Sequence, residues 1–293
     1  MSLDGTRQNC ALETYPGGWA AAIAYTDGGV NACGGRRNQG DAYRCWRFNG
    51  STWSPLPNST EGHCSDGTHY IMVQKGWWVV GVPGSCDSRY INSEIFTGEK
   101  WIPGPGFPDG LDIFHSGYQT TLKGYCLMNL SPTQTMLIGG YTGGRQRREV
   151  YIYDWNTENW TKGASMVGGL ANHGCVNLGS QGILAGGGFN GGYGDPVPWV
   201  NLYDSVQNSW SKQPDMPSGK NQFYPKYNFP KQPTLFNWNG TAIGLFGNEN
   251  QIYKWNKENG TWSVLEGVQL PRGYYGRFDK AIQVPDDFVN NCN

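Results

Sequence analysis

Apolar and polar residues alternate along most of this chain in short bursts, and glycine, asparagine or proline closes each burst. That is the period-2 pattern of half-buried strands, and no stretch with helical period stands out. The bursts assemble into a phrase that recurs. An apolar run ends in glycines at Cys33-Gly34-Gly35, Ile138-Gly139-Gly140, Ala185-Gly186-Gly187 and Leu245-Phe246-Gly247. A loop follows, then an aromatic-led strand at Tyr151–Asp154, Leu202–Asp204 and Ile252–Lys254. A polar turn and a tryptophan close the phrase at Trp53, Trp101, Trp160, Trp210 and Trp262, at spacings of 48, 59, 50 and 52 residues. A period of about 50 residues marks a supersecondary unit that must stack on its neighbours to bury its apolar face.

Each repeat divides into four strands, a to d. In the first, strand a spans Trp19–Tyr25, b Val30–Cys33, c Tyr43–Phe48 and d Trp53–Leu56. The second starts near His63, with strands at Ile71–Val73, Trp77–Val80 and Tyr90–Phe96, then Trp101. The third starts near His115, the fourth near His173 and the fifth near Phe223. Turn residues separate c from d each time, as in Asn49-Gly50, Thr97-Gly98 and Asn259-Gly260. The end segments Cys10–Pro16 and Phe278–Pro285 each read as part of a further repeat. Pairing them would remove two exposed sheet edges.

The double glycine, the Tyr-x-Tyr-Asp strand and the trailing tryptophan resemble the kelch repeat of β-propellers, most clearly from Leu137 through Trp155 to Trp160. The resemblance covers about residues 17–285 and weakens in the second repeat, where Gly81-Val82-Pro83-Gly84 replaces the paired glycines. It implies an all-β, kelch-type propeller forming one domain over residues 1–293. Six four-stranded blades closed by strands from both termini are expected, or five if the ends do not pair.

Composition narrows the setting. The net charge of −1 gives no field to recruit nucleic acid, and no apolar run is long enough for membrane insertion. The eight cysteines form no C-x-x-C pair. In the strand layout, Cys10–Cys292 would lock the two ends together. Cys33–Cys45 and Cys64–Cys86 would then each staple one sheet, leaving Cys126–Cys175 between neighbouring inner strands; eight cysteines permit 105 connectivities, so these three pairings stay open. N-x-S/T sequences open at Asn49, Asn58, Asn129, Asn159, Asn239 and Asn259. They number roughly twice what composition alone would produce, although several also make good hairpin turns. Paired cysteines and glycosylation sequences together point to a secreted, disulfide-bonded glycoprotein; a cytoplasmic protein with free thiols is the alternative.

The resemblance places ligands on the b–c and d–a loops. Those loops carry Arg36 and Arg37, then Arg145, Arg147 and Arg148, with Phe189 and Tyr193 as aromatic neighbours. Guanidinium forks suit carboxylates, phosphates and sulfates. The expected function is therefore an extracellular binding or interaction module that holds a protein segment or an acidic glycan. A structural component of an extracellular assembly or matrix, including a homo-oligomer, is the second reading. A propeller enzyme, like the copper-radical oxidases or a glycan-active propeller, is the third, with His115, His173 and nearby tyrosines at the channel mouth. His63, His115 and His173 recur at the start of three successive repeats, yet no ligand set gathers around them. No catalytic residue, metal or cofactor is assigned. The loop Pro103–Phe114 carries apolar residues that either form a contact surface or pack inward.

Overall fold

The computed structural model describes residues 16, 22–26, 28–34, 41–60, 62–63, 69–80, 93–108, 111, 113–115, 118–120, 122, 124–190, 195–217, 233–245 and 251–269. The chain groups into two compact units, residues 1–121 with 282–293, and residues 122–281.

In the first unit, β1 (Ala22–Thr26), β2 (Gly29–Cys33), β3 (Cys45–Phe48) and β4 (Trp53–Leu56) form sheet 1 in chain order. Next, β5 (His69–Val73), β6 (Gly76–Val80), β7 (Ser93–Phe96) and β8 (Trp101–Pro103) form sheet 2. All neighbours are antiparallel. Tyr43, expected to open strand c, instead closes a 3-10 turn over Asp41–Tyr43, and the strand begins at Cys45. The turn's carbonyls serve the following linker: Ser59 N–H donates to the Tyr43 oxygen and His63 N–H to that of Ala42. The core here joins Ala24, Cys33 and Cys45 to Trp77, Val79, Phe96 and Trp101.

The expected third-repeat start at His115 is displaced. Among the described residues, Ile113–His115 (β9) and Tyr118–Thr120 (β10) pair only with each other. Sheet 3, in the second unit, begins at Cys126. The Pro103–Phe114 loop is no exposed apolar patch over its described part: Pro105, Pro108 and Leu111 are buried. These three face inward because leaving them in water costs more than ordering the loop.

Sheet 3 comprises β11 (Cys126–Ser131), β12 (Gln134–Ile138), β15 (Val150–Asp154) and β16 (Asn159–Lys162). Between b and c stands a small hairpin, β13 (Tyr141–Thr142) and β14 (Arg145–Gln146). Sheet 4 repeats the plan with β17 (Gly174–Asn177), β18 (Ile183–Gly186), the hairpin β19 (Phe189–Asn190) and β20 (Asp195–Pro196), then β21 (Val200–Asp204) and β22 (Ser209–Gln213). Sheet 5 comprises β23 (Thr234–Trp238), β24 (Thr241–Leu245), β25 (Gln251–Asn256) and β26 (Thr261–Gln269). The described residues thus form five four-stranded sheets, matching the five-blade alternative. Six blades are not supported, and the end segments on which the sixth depended lie outside the described residues, as does Phe223.

The recurring tryptophan has one position in common. It faces an aromatic residue on the neighbouring strand c: Phe48↔Trp53, Phe96↔Trp101, Tyr153↔Trp160, Tyr203↔Trp210 and Trp255↔Trp262. Ring centroids in the first four pairs are 5.2, 5.2, 5.1 and 5.1 Å apart. Such tilted cross-strand pairs contribute about 0.5–1.5 kcal/mol beyond their burial. In sheet 5 the equivalent of Tyr203-Asp204 is Trp255-Asn256, two residues after the Tyr253-Lys254 that the sequence pattern suggests. A two-residue shift keeps every side chain on its face, so alternation alone cannot detect it.

Strand a of each sheet in the second unit lies beside strand a of the next. Two core clusters fill the gaps. Met136, Ile138 and Val150 pack with Ile183, Ala185 and Tyr203. Leu184 and Val200 pack with Leu235, Tyr253 and Trp255. The Cys126–Cys175 disulfide spans the first gap with a Cα–Cα distance of 6.3 Å. An asparagine ladder runs beside it: Asn177 Nδ2 donates to the Asn129 carbonyl at 2.5 Å, and Asn237 Nδ2 to the Asn177 carbonyl at 2.8 Å. These bonds align the a–b ends of sheets 3, 4 and 5. In the first unit, Cys33–Cys45 joins register partners of β2 and β3. Both disulfides match the expected pairings; Cys10, Cys292, Cys64 and Cys86 lie outside the described residues.

Candidate functional site

The b–c end of sheets 3 and 4 is where the sequence placed ligand chemistry. The chain leaves β12 at Gly139, whose φ of +61° suits glycine. A Cβ there would lie 2.7 Å from the Leu170 carbonyl, so glycine lets the incoming d–a linker approach. The Gly140 N–H donates to that same carbonyl at 2.8 Å. Beyond it, the hairpin β13–β14 turns through Gly143 and Gly144, both at positive φ. The returning strand carries Arg145, Arg147 and Arg148.

The d–a linker of sheet 3 fixes this segment from below. Leu170 N–H donates to the Arg147 carbonyl at 3.1 Å and Met166 N–H to that of Arg148 at 2.9 Å. The three guanidiniums differ in surroundings. Arg145 and Arg148 are exposed. Arg147 is largely covered, with its side chain 14% exposed, and its Nε lies 3.5 Å from Glu149 Oε2. Partial burial pushes the Glu149 carboxyl up. Backbone N–H groups, including that of Arg148, and the charges of Arg147 and Arg145 outweigh this and hold it below its ordinary value. Glu149 is thus an internal counter-ion that positions Arg147, and the segment keeps an excess of positive charge.

The same linker joins the second hairpin. Ala171 and Phe189 exchange both backbone hydrogen bonds, at 3.2 and 2.8 Å, and β14 neighbours β19. Phe189, half-buried, therefore stands next to the arginine hairpin. Arg145, Arg147, Arg148 and Phe189 share one loop cluster; Arg36, Arg37 and Tyr193 lie outside the described residues. Sequence reasoning missed the linker residues Met166–Asn172 as the floor of this cluster. The signal for them was Gly168-Gly169 between apolar residues, where a Cβ on Gly169 would meet the Gln146 carbonyl at 2.7 Å.

The solved structure of YjhT, a propeller, matches with a TM-score of 0.62 over 84% of this chain and 83% of that one, at 11% identity. The chain is a β-propeller. At that identity the likeness carries the fold alone. No protein-family model matches the chain, and no curated protein matches it by sequence.

The histidines of this propeller are not repeat equivalents. His173 immediately precedes β17, whereas His63 lies in the linker before β5 and His115 in the separate hairpin β9–β10. His173 is 6% exposed, and neither ring nitrogen has a hydrogen-bond partner among the described residues. Its Cε1 lies 3.0 Å from where a Gly139 side chain would begin. Burial lowers its pKa to about 4. His63 is also buried, and its Nε2 meets Glu94 Oε1 at 2.8 Å. Thr60 serves the other oxygen, through its N–H at 3.1 Å and its hydroxyl at 2.5 Å. This network holds the linker from sheet 1 against β7. Among the described residues, no three His, Cys, Asp or Glu side chains converge as a metal site would require. Cys126 and Cys175 are committed to each other, so neither can be the tyrosine-linked cysteine of a copper-radical oxidase.

Proposed function

We propose that this propeller is a secreted binding module, kelch-like in its repeat, that holds an acidic glycan or acidic protein segment on the b–c/d–a end of sheets 3 and 4. The observation that carries the reading is the hairpin β13–β14. It presents Arg145 and Arg148 to solvent while Glu149 and the Met166–Leu170 linker fix Arg147 and the backbone beneath. A guanidinium held on an ordered hairpin loses less entropy on binding than one on a loose loop. Phe189 supplies an apolar face beside the charges, suited to the ring face of a sugar or an aliphatic side chain. The two disulfides fit an oxidising compartment.

The test is binding to a sulfated or uronic-acid oligosaccharide series and to acidic peptides, by titration at two salt concentrations. Arg145→Glu with Arg148→Glu should weaken binding at least tenfold, and added salt should weaken the unmodified protein likewise. Unchanged affinity of the double variant for every acidic ligand that binds would overturn the reading.

A further inference from the structure

We propose that Asn49 and Asn259 are N-glycosylation sites, placed at the turn ends of their sheets away from the b–c loops, and that Asn129 carries no sugar. The six Asn-x-Ser/Thr sequences differ sharply once their hydrogen bonds are known. Asn49 is exposed in the turn between β3 and β4, and its Oδ1 accepts from the Ser51 N–H at 2.9 Å and the Ser51 hydroxyl at 3.0 Å. Asn259 repeats this between β25 and β26. Its Oδ1 accepts from the Thr261 N–H at 3.0 Å and the Thr261 hydroxyl at 2.6 Å. In both, the hydroxyl two residues on donates to the amide oxygen. That draws electron density toward oxygen and makes the Nδ2 protons more acidic.

These contacts span only two residues. A nascent chain can form them before any tertiary structure exists, as Asx turns do. The other sequences use their groups differently. Asn129 lies within β11, half-buried, with its Oδ1 accepting from Thr135 and its carbonyl from Asn177. A sugar there would stand in the asparagine ladder between strands a. In the Asn58 sequence, the Thr60 hydroxyl donates to buried Glu94. Asn159 commits its own Nδ2 to the Thr157 carbonyl at 2.7 Å, and the Thr161 hydroxyl turns to Ile152. At Asn239, the Gly240 N–H bonds Asn237 instead.

The modification forms a bond from Asn Nδ2 to the anomeric carbon of an oligosaccharide. The bond from that carbon to a lipid pyrophosphate carrier breaks, the pyrophosphate leaves with the electron pair, and the amide nitrogen loses one proton. No oxidation or reduction is involved. In an antiparallel four-stranded sheet, the a–b and c–d turns share one end and the b–c loop lies at the other. The Asn259 sugar therefore stands at the end of sheet 5 that the ladder aligns with the a–b ends of sheets 3 and 4, leaving the arginine hairpin end bare. The inference stands apart from the anion-binding reading, because it needs the secretory route but no ligand.

The experiment is peptide mapping of the protein secreted from a eukaryotic host, after peptide N-glycosidase in heavy-oxygen water. The Asn49 and Asn259 peptides should carry the Asn-to-Asp mass mark, and the Asn129 peptide should not. Ser51→Ala and Thr261→Ala should each abolish one mark, while Ser51→Thr and Thr261→Ser keep both. Unmarked Asn49 or Asn259 in protein whose Cys126–Cys175 disulfide has formed would overturn the proposal, as would a marked Asn129.

Discussion

Replacing His173 by leucine should flatten part of the acid dependence of stability. Burial holds the His173 pKa at about 4, below the ordinary histidine value of 6.5. The unfolded chain therefore takes up this proton first as pH falls. Stability from the neutral, buried ring is fully present above pH 6.5 and is lost as pH falls from there toward 4. Each pKa unit corresponds to about 1.4 kcal/mol, so the full span is about 3 kcal/mol, of which about 2 kcal/mol is gone by pH 5. Leucine has nearly the volume of histidine and no proton to gain. The assay is urea unfolding of both proteins by tryptophan fluorescence at pH 7.5, 6 and 5. Carboxylates such as Glu149 titrate in both and cancel in the difference. Leucine should gain about 2 kcal/mol on the unmodified protein between pH 7.5 and 5. Parallel pH profiles would refute the argument, because they would mean that His173 is charged and solvated in the folded state.

Two further outcomes follow from the covalent and backbone geometry. The Cys126→Ala/Cys175→Ala pair frees a 49-residue separation and Cys33→Ala/Cys45→Ala a 12-residue one; chain entropy then gives losses of about 4 and about 3 kcal/mol, ranked by unfolding midpoints in urea. Glu158 sits at φ +55° where the equivalent position in sheet 5 is Gly260 at φ +66°, so Glu158→Gly should stabilise by about 1 kcal/mol and Gly260→Ala should destabilise by a similar amount, measured by thermal melting.

The c–d turns explain why so much was legible along the chain. Asp154 accepts from the N–H groups of Asn156 and Thr157, and Asp204 from those of Val206 and Gln207. Those N–H bonds, with a further one from the Gln134 amide, lower the Asp154 pKa. Such contacts close within three residues, so the turn residues announce them directly. The ring pairing of the trailing tryptophans is equally local, since it crosses one hairpin, although Trp101 and Trp210 also donate their Nε1–H to the Pro57 and Ala164 carbonyls of the preceding d–a linkers. Where register slid by two in sheet 5, the pattern stayed self-consistent and gave no warning. Nor could it show that Tyr43 leaves the strand for a turn whose Ala42 and Tyr43 carbonyls receive bonds from a linker sixteen or more residues later.

The order of strands and the arginine-bearing loop were determined by the sequence itself, because alternation and turn chemistry act over short distances. The tertiary structure alone decided which groups meet across the sheets. It set Phe189 beside the arginine hairpin through the Ala171 backbone, gave Arg147 its counter-ion, buried the His173 ring, and divided six similar Asn-x-Ser/Thr sequences into different hydrogen-bonding fates. Those outcomes depend on burial and on pairings between residues far apart in the chain, which no local pattern encodes.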